Sequence, residues 1–294
     1  MNTTNLHIPS NKVRDIERYI LTELNGLYPE SELRQFARML FEAYLGWNTV
    51  DYLLHRDSTI NQSDLLRFHW AVEDLKQHRP IQHIIGYTEF CDCRIQVSPE
   101  VLIPRPETEE IVLSIPPTQG TILDLCTGSG CIAIALTRRN PEAQVSAVDL
   151  SDAALKMARS NAALNNTHIN FHQIDVLDNS ALNECFATQT FNLIISNPPY
   201  VMQQERSQMD ANVLDYEPGM ALWVEDNAPL VFYESIAQFA QQHLTKDGLL
   251  VLEINENLSN ETASLLSSNG FECQIRTDFR NKPRSLFCQF PSSR

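Results

Sequence analysis

Apolar side chains recur every three or four residues in three stretches of the first 80 residues, which predicts three helices. Ser10 is the expected cap of the first helix and Gly26 its stop, while Gly46 and Pro80 end the other two. The apolar positions are Val13, Ile16, Ile20 and Leu24, then Leu33, Phe36, Ala37, Leu40 and Tyr44, then, roughly within 63–78, Leu65, Leu66, His69, Val72 and Leu75. This pattern predicts a small helical bundle that carries no chemistry of its own.

The pattern changes beyond residue 80. Residues 84–97 alternate weakly between apolar and polar side chains, as a β-hairpin does, and Pro99, Pro104 and Pro106 then hold the chain extended. From residue 121, short apolar runs alternate with helical stretches, which is typical of a doubly wound, mostly parallel sheet. The predicted strands cover 121–125, 144–150, 169–175, 191–197, 248–255, 271–278 and 285–290, with helices at 131–139 and 151–165. Because no long helix separates the last two strands, we expect an antiparallel edge.

These patterns predict an α/β protein with a small helical N-terminal domain. We expect a helical domain at 1–80, a hairpin linker at 81–98 and a sheet domain at 99–294. A length of 294 residues agrees with about two domains. Since ligands of doubly wound sheets bind at the carboxyl ends of the strands, we expect the chemistry in the sheet domain.

Composition and charge narrow the possible functions. The chain is 43% hydrophobic and 20% charged, as ordinary globular proteins are. Its net charge is −15, and residues 81–294 hold 26 acidic against 13 basic side chains. A protein that coats nucleic acid needs a basic face, so we expect no direct nucleic-acid partner.

Targeting signals and metal-binding patterns are missing from the sequence. Residues 1–19 lack the apolar core of a secretory signal, and no apolar run approaches the ~20 residues that span a bilayer. The seven cysteines are odd in number and form no C-x-x-C pair, and the eight histidines show no metal-ligand spacing. We therefore expect a cytoplasmic protein with reduced thiols, no metal site and no membrane association.

The first candidate site follows the strand at 121–125. A glycine-rich turn at 124–130 leads into a helix whose first backbone N–H groups are free to bind a ligand. Asp149 ends the next strand, 19 residues after the turn, where it can accept hydrogen bonds from both hydroxyls of a ribose, and Asp175 ends the third, beside the expected base. This arrangement predicts a nucleoside pocket. The pattern G-x-G-x-x-A beginning at Gly128 also fits a nicotinamide dinucleotide fingerprint, so a dehydrogenase stays open at this point.

The second candidate site is Asn197-Pro198-Pro199-Tyr200, directly after the fourth strand of the sheet domain. The two prolines fix a rigid corner, so the Asn197 side-chain carbonyl and the Pro198 backbone carbonyl become fixed acceptors for both hydrogens of an –NH₂ group. The ring of Tyr200 offers a face on which a planar amide or base can stack. Holding both N–H bonds orients the nitrogen lone pair and favours charge that develops on nitrogen. A dehydrogenase would have no use for such a corner.

The glycine-rich turn, Asp149 and the Asn-Pro-Pro-Tyr corner resemble the S-adenosylmethionine-dependent amino methyltransferases, which have a Rossmann-like class I sheet. The stretch 79–112, with Pro104-Arg105-Pro106-Glu107-Thr108-Glu109 as its most specific part, is similar to the protein-(glutamine-N5) methyltransferases that modify peptide chain release factors. The resemblance covers nearly the whole chain. It implies methyl transfer from S-adenosyl-L-methionine to the side-chain amide nitrogen (N5) of the glutamine in a Gly-Gly-Gln motif. It also implies that the helical domain at 1–80 helps to bind the protein substrate, and we expect a monomer.

The resemblance also assigns roles by motif. The residues that it places at the cofactor are Cys126, Thr127, Gly128, Ser129, Gly130, Asp149, Asp175, Val176 and Asn197. It implies that Asn197–Tyr200 grip the glutamine amide, with Arg105 and Thr108 as supports near the cofactor. Two positions depart from the family pattern. Cys126 stands where many members have glycine, and Val176 stands where an aromatic side chain is common, so it offers the base less stacking.

Other functions share parts of this pattern. An adenine-specific DNA methyltransferase has Asn-Pro-Pro-Tyr but should need a basic groove for a flipped base. The sister family that methylates a glutamine of a ribosomal protein keeps Pro-Arg but differs after it. A non-catalytic binding module would keep the cofactor pocket and leave the corner at 197–200 unused.

The segment 201–234, which follows the corner, holds seven acidic side chains against one basic side chain. Such a run is a solvated loop or, in our hypothesis, an acidic rim that steers a basic partner loop into the site. The seven acids are Glu205, Asp210, Asp215, Glu217, Glu225, Asp226 and Glu234.

Overall fold

The structure, a computed structural model of the chain, describes residues 10–291. Residues 1–9, on which the expected lack of a secretory signal partly rests, and residues 292–294 lie outside the described part. The chain divides into two compact units, one ending at Gly86 and the other beginning at Tyr87. Within 10–291, no helix is both long and apolar enough to cross a membrane.

The first unit is helical. Its helices are α1 (Val13–Glu23), α2 (Glu30–Leu45), α3 (Thr49–Leu54), α4 (Gln62–Lys76) and α5 (Ile81–Ile85). The apolar faces of α1, α2 and α4 meet in one core, where the rings of Phe41 and Phe68 are fully buried with their centroids 4.7 Å apart. The helix α5 occupies residues that the sequence pattern assigned partly to the hairpin, so the prediction of a hairpin over 84–97 was too long.

The start of α1 differs from the prediction. Lys12, not Ser10, is the N-cap, and no side chain within 10–291 caps the helix. The Ser10 hydroxyl instead donates to the Asp15 carboxylate at 2.5 Å. The backbone N–H of Val13 donates to the carbonyl of Ser58 at 3.0 Å, so a long-range main-chain bond replaces the local cap.

The second unit begins with a hairpin and contains a seven-stranded sheet. The strands are β1 (Tyr87–Phe90), β2 (Cys93–Gln96), β3 (Thr121–Leu125), β4 (Gln144–Asp149), β5 (Ile169–Gln173), β6 (Phe191–Ser196), β7 (Val201–Met202), β8 (Trp223–Val224), β9 (Leu244–Glu253), β10 (Glu272–Thr277) and β11 (Pro283–Gln289). The helices are α6 (Pro106–Ser114), α7 (Cys131–Arg139), α8 (Asp152–Leu164), α9 (Asn179–Cys185), α10 (Ala211–Tyr216), α11 (Val231–His243) and α12 (Ser259–Ser268).

The large sheet has the order β10-β11-β9-β6-β3-β4-β5. The five strands from β9 to β5 are parallel, and β11 pairs antiparallel with both β9 and β10. This confirms the predicted α/β fold with a mostly parallel sheet and an antiparallel edge. Because the chain runs from β3 outward through β4 and β5 and then returns to β6 on the other side of β3, the switch point lies between β3 and β6.

Alternate strand residues face two separate hydrophobic layers. Ile122 belongs to the layer formed with α6, α7 and α8, and its neighbour Leu123 belongs to the layer formed with α9, α11 and α12. Strands buried on both faces appear in sequence as continuous apolar runs, which explains why the sequence pattern located them well. The carboxyl ends of β3 and β6 are joined by a hydrogen bond from the Ser196 hydroxyl to the Leu125 carbonyl at 2.7 Å.

Candidate active site

The turn between β3 and α7 has a backbone conformation that few side chains adopt. Cys126, Gly128 and Gly130 have φ values of +61°, +53° and +82°. A Cβ on Gly130 would lie 3.0 Å from the Cβ of Ala158 on α8, so close helix packing requires glycine there as well. Apart from its chain neighbours, a Cβ on Gly128 would meet no atom of the described residues within 4 Å, so this residue faces open space. The turn therefore leaves the first N–H groups of α7 accessible beside a cleft.

Asp149 lies beside this turn, at the end of β4. One carboxylate oxygen accepts the backbone N–H of Gly128 at 2.8 Å, and the other accepts the backbone N–H of Ser151 at 2.9 Å. Burial raises the pKa of the Asp149 carboxyl, and these backbone hydrogen bonds oppose the increase. The carboxylate is thus held in a fixed position, with further lone pairs available to a ligand.

A cleft of about 1030 Å³, open to solvent at its mouth, lies at the carboxyl ends of β3, β4 and β6. Eight of the nine predicted cofactor residues line it: Cys126, Thr127, Gly128, Ser129, Asp149, Asp175, Val176 and Asn197. Gly130 does not line the cleft and packs against α8 instead. Arg105 and Thr108, the two predicted supports, line the cleft as well.

The cleft also has apolar walls that the sequence analysis missed. Leu150 and Leu177 line it while remaining 49% and 41% exposed, and the ring of Phe232 lines it too. Exposed leucines on facing loops are typical of a site that receives a flat apolar group. The sequence offered a signal for both leucines. Leu150 directly follows the predicted cofactor residue Asp149, and Leu177 directly follows the predicted cofactor residue Val176.

The corner at 197–200 separates this cleft from a second, smaller cavity. Asn197 and Pro199 line the cleft, whereas Asn197, Pro198 and Tyr200 line the smaller cavity. The rest of the smaller cavity's wall is formed by Leu102, Arg105, Val201, Met209, Val213, Ala221, Leu222 and Glu253. Asn197 is thus shared by the two spaces. The Tyr200 hydroxyl is anchored, because it donates to the Glu253 carboxylate at 2.9 Å.

Glu253, at the end of β9, is a site residue that sequence reasoning missed. It is 3% exposed, and its second carboxylate oxygen accepts the Thr108 hydroxyl at 2.7 Å. Burial raises the pKa of Glu253, and the hydrogen bonds from Thr108 and Tyr200 oppose the increase. The available signal was one acid within the otherwise apolar run 249–254, since a buried carboxyl requires partners.

Glu217 is buried too, so counting it in an acidic rim was wrong. Its carboxylate oxygens accept the Arg105 guanidinium at 2.6 Å and the backbone N–H of Ile103 at 3.2 Å. The Glu205 carboxylate is also occupied by hydrogen bonds within the protein, since it accepts the backbone N–H of Met202 and the side-chain amides of two asparagines. These two acids stabilise the loop after the corner. The exposed acids of the segment are Asp210, Asp215, Glu225, Asp226 and Glu234.

Comparison with known proteins agrees with this geometry. The family described as "Methyltransferase small domain" matches residues 90–215, and the "PrmC N-terminal domain" matches residues 18–86. A methyltransferase of known structure from Pyrococcus furiosus is 16% identical with a TM-score of 0.50, covering 78% of this chain and 98% of that one. At that identity the likeness concerns the fold alone.

Curated relatives extend over both units. A release factor glutamine methyltransferase from Flavobacterium psychrophilum is 39% identical and covers 95% of this chain and 99% of the relative. Its counterpart from Bacteroides thetaiotaomicron is 35% identical over 92% and 98%, and that from Lactococcus lactis is 44% identical over 70% and 75%. The chain belongs to the release factor glutamine methyltransferase family.

Proposed function

We propose that this protein methylates the side-chain amide nitrogen (N5) of the glutamine in the Gly-Gly-Gln motif of peptide chain release factors, with S-adenosyl-L-methionine as the methyl donor. The observation that carries this proposal is the position of Asn197, which lines both the cleft and the smaller cavity. A side chain shared by two adjoining spaces can contact a cofactor on one side and a substrate amide on the other. Family membership supports the reaction class.

The cleft fits the parts of this cofactor. The fixed carboxylate of Asp149 suits the two ribose hydroxyls, and Asp175 and Val176 suit the edge of the adenine. The turn at 126–130 suits the methionine end, with Gly130 supporting the turn by packing. Bound in this way, S-adenosyl-L-methionine supplies a methyl group on a positively charged sulfur.

The corner at 197–200 can compensate for the weak nucleophilicity of an amide nitrogen. The lone pair of an amide nitrogen is delocalised into its carbonyl group, so the site must favour the form in which charge lies on nitrogen. The Asn197 Oδ1 and the Pro198 carbonyl would accept hydrogen bonds from the two N–H groups of the glutamine amide. These bonds orient the lone pair of the amide nitrogen. The nitrogen sheds one proton to solvent as it gains the methyl group. Positioning supplies most of the rate enhancement in this scheme.

The helical unit is the part that we expect to bind the body of the release factor. Its described residues form a hydrophobic core of their own. We further propose that the enzyme acts as a monomer in the cytoplasm, where release factors meet the ribosome.

The test is methylation of an unmethylated release factor by the purified protein, read by mass spectrometry of the Gly-Gly-Gln peptide. We expect one added methyl group on that glutamine, and Asn197→Ala should lower kcat at least roughly a hundredfold, as loss of a donor or acceptor at the reacting atoms does. Affinity for S-adenosylhomocysteine, measured by calorimetry, should change far less. A wild-type protein that binds this ligand but leaves the peptide unmodified would redirect the search to a ribosomal protein and then to DNA.

A further inference from the structure

A single buried carboxylate is linked to both ends of the corner at 197–200, directly to Tyr200 and through Thr108 to Asn197. One oxygen of Glu253 accepts the Tyr200 hydroxyl at 2.9 Å, and the other accepts the Thr108 hydroxyl at 2.7 Å. Thr108 in turn lies 3.4 Å from the Asn197 Nδ2, which donates to its oxygen. We infer that Glu253 and Thr108 are positioning residues that fix the orientation of the Asn197 side-chain amide, so that its carbonyl oxygen points to the substrate.

The directions of these hydrogen bonds determine the orientation. The Thr108 hydroxyl donates to Glu253, so its single proton is used in that hydrogen bond. The Thr108 oxygen then offers only lone pairs to Asn197, and the group that faces it must be the Nδ2 donor. The opposite orientation would set the Asn197 Oδ1 against those lone pairs, which is repulsive. This sequence of bonds therefore leaves the Asn197 Oδ1 as the atom available to accept an N–H from a substrate amide.

The location of Glu253 suits this task. It ends β9, whose parallel neighbour β6 leads directly into the corner, and its backbone carbonyl accepts the Tyr233 hydroxyl at 3.1 Å. The residue is 3% exposed, so bulk water competes little for the carboxylate oxygens. Glu253 lines the smaller cavity and not the cofactor cleft. Its influence should therefore fall on the substrate amide more than on cofactor affinity.

This inference deepens the proposed function, because it assigns a cause to the orientation on which that function depends. The first test is kinetic. Glu253→Gln keeps the shape but replaces one acceptor with a donor, and Thr108→Val removes the hydroxyl. We expect kcat for the release factor to fall roughly tenfold or more in both variants, whereas KM, which depends on the whole protein interface, changes less than about threefold.

Two further variants separate positioning from a loss of stability. Thr108→Ser keeps the hydroxyl and should retain activity within about threefold of wild type. Tyr233→Phe removes a buried hydroxyl that bonds the main chain of Glu253 and not its carboxylate, so it is the matched control. It should lower the melting temperature without the fall in kcat. Equal losses of kcat in the serine and valine variants, or a fall in Tyr233→Phe as large as in Glu253→Gln, would overturn the inference.

A second readout needs no substrate. The Asn197 side-chain NH₂ gives an NMR signal that can be assigned from its loss in Asn197→Ala. We expect that signal to shift in Thr108→Val and Glu253→Gln and to stay in place in Tyr233→Phe. If the shifts occur while wild type leaves release factors unmodified, the bonding arrangement stands and the proposed substrate fails. An unshifted signal in both variants would overturn the positioning role, whatever the substrate.

Discussion

Asp124 lies beneath the glycine-rich turn with no solvent exposure. Its carboxylate accepts the Thr127 hydroxyl at 2.6 Å, and Thr127 lines the cofactor cleft. Burial raises the pKa of Asp124 to about 7, although the hydrogen bonds from Thr127 and from the Ala133 backbone act in the opposite direction. The folded protein therefore keeps a proton on this carboxyl at a pH where the unfolded chain has released it.

The sign of the resulting pH dependence follows from proton linkage. Between about pH 4 and pH 7 the folded state binds more protons at Asp124 than the unfolded state, so this residue's contribution to stability falls as pH rises. Asp124→Asn cannot ionise, so its free energy of unfolding relative to wild type should rise by up to about 4 kcal/mol between pH 4 and pH 8. Urea denaturation of both proteins across this range measures the difference. A difference that stays constant with pH would contradict the prediction.

The residues that the sequence located well are those whose roles follow from local pattern. Asp149 ends an apolar strand after a glycine-rich turn, so its place beside the turn could be predicted. The burial of Glu253 and Glu217 could not be predicted, because the local sequence around a charged residue does not reveal its partners when these are distant along the chain. Thr108 and Arg105 supply those partners from 145 and 112 positions away.

At the scale of elements, shortness explains why some helices escaped prediction, although α11 and α12, with 13 and 10 residues, escaped it too. β3 was predicted over its exact extent, because it is buried on both faces and appears as a short run that is apolar apart from Thr121 and Asp124. The helices α3, α5 and α9 have six, five and seven residues, too few to show a helical period. The start of α1 escaped prediction for another reason, since a main-chain bond from a distant loop replaced the expected cap.

The ion pair between Arg105 and Glu217 helps to attach the segment 203–222, together with the hydrogen bonds of Glu205. The Glu217 side chain is 1% exposed, whereas that of Arg105 is 33% exposed. Glu217→Ala would leave the Arg105 charge with one partner fewer and free the Ile103 N–H. Allowing for the partial exposure of Arg105, we expect the free energy of local opening of this loop to fall by about 2 kcal/mol. Hydrogen exchange of residues 203–222 measures this change.

Glu225→Ala is the matched control for that experiment, because Glu225 lies just beyond the same loop but is exposed. It should leave the exchange of 203–222 unchanged. Since Pro218, Met220 and Ala221 line the cleft, Glu217→Ala should also weaken binding of S-adenosylhomocysteine several-fold. Equal protection of the loop in both variants would show that the ion pair does not hold it.

At the scale of the whole molecule, the net charge of −15 affects how a protein partner approaches. Three exposed acids of the segment 201–234 have side chains that make no hydrogen bond or ion pair within residues 10–291: Asp210, Asp215 and Glu225. Charges of this kind act on association rate and specificity more than on fold, and salt screens them over about 8–10 Å. Because Glu205 and Glu217 are bonded within the protein, the acidic-rim hypothesis is now tested on these three acids.

Neutralising them together, as Asp210→Asn, Asp215→Asn and Glu225→Gln, should raise KM for a release factor by roughly threefold to tenfold at low salt and much less at high salt, since a screened charge no longer steers its partner. The measurement is kcat and KM at about 20 and 300 mM salt, where the Debye lengths differ severalfold. The matched control is Glu142→Gln, Asp247→Asn and Glu272→Gln, three exposed acids near the amino-terminal ends of β4, β9 and β10. Both triple variants change the net charge equally, so they differ only in where the charge is lost. If both raise KM alike, overall charge and not the position of these acids governs the encounter; if neither does, the exposed acids of the segment are a solvated surface.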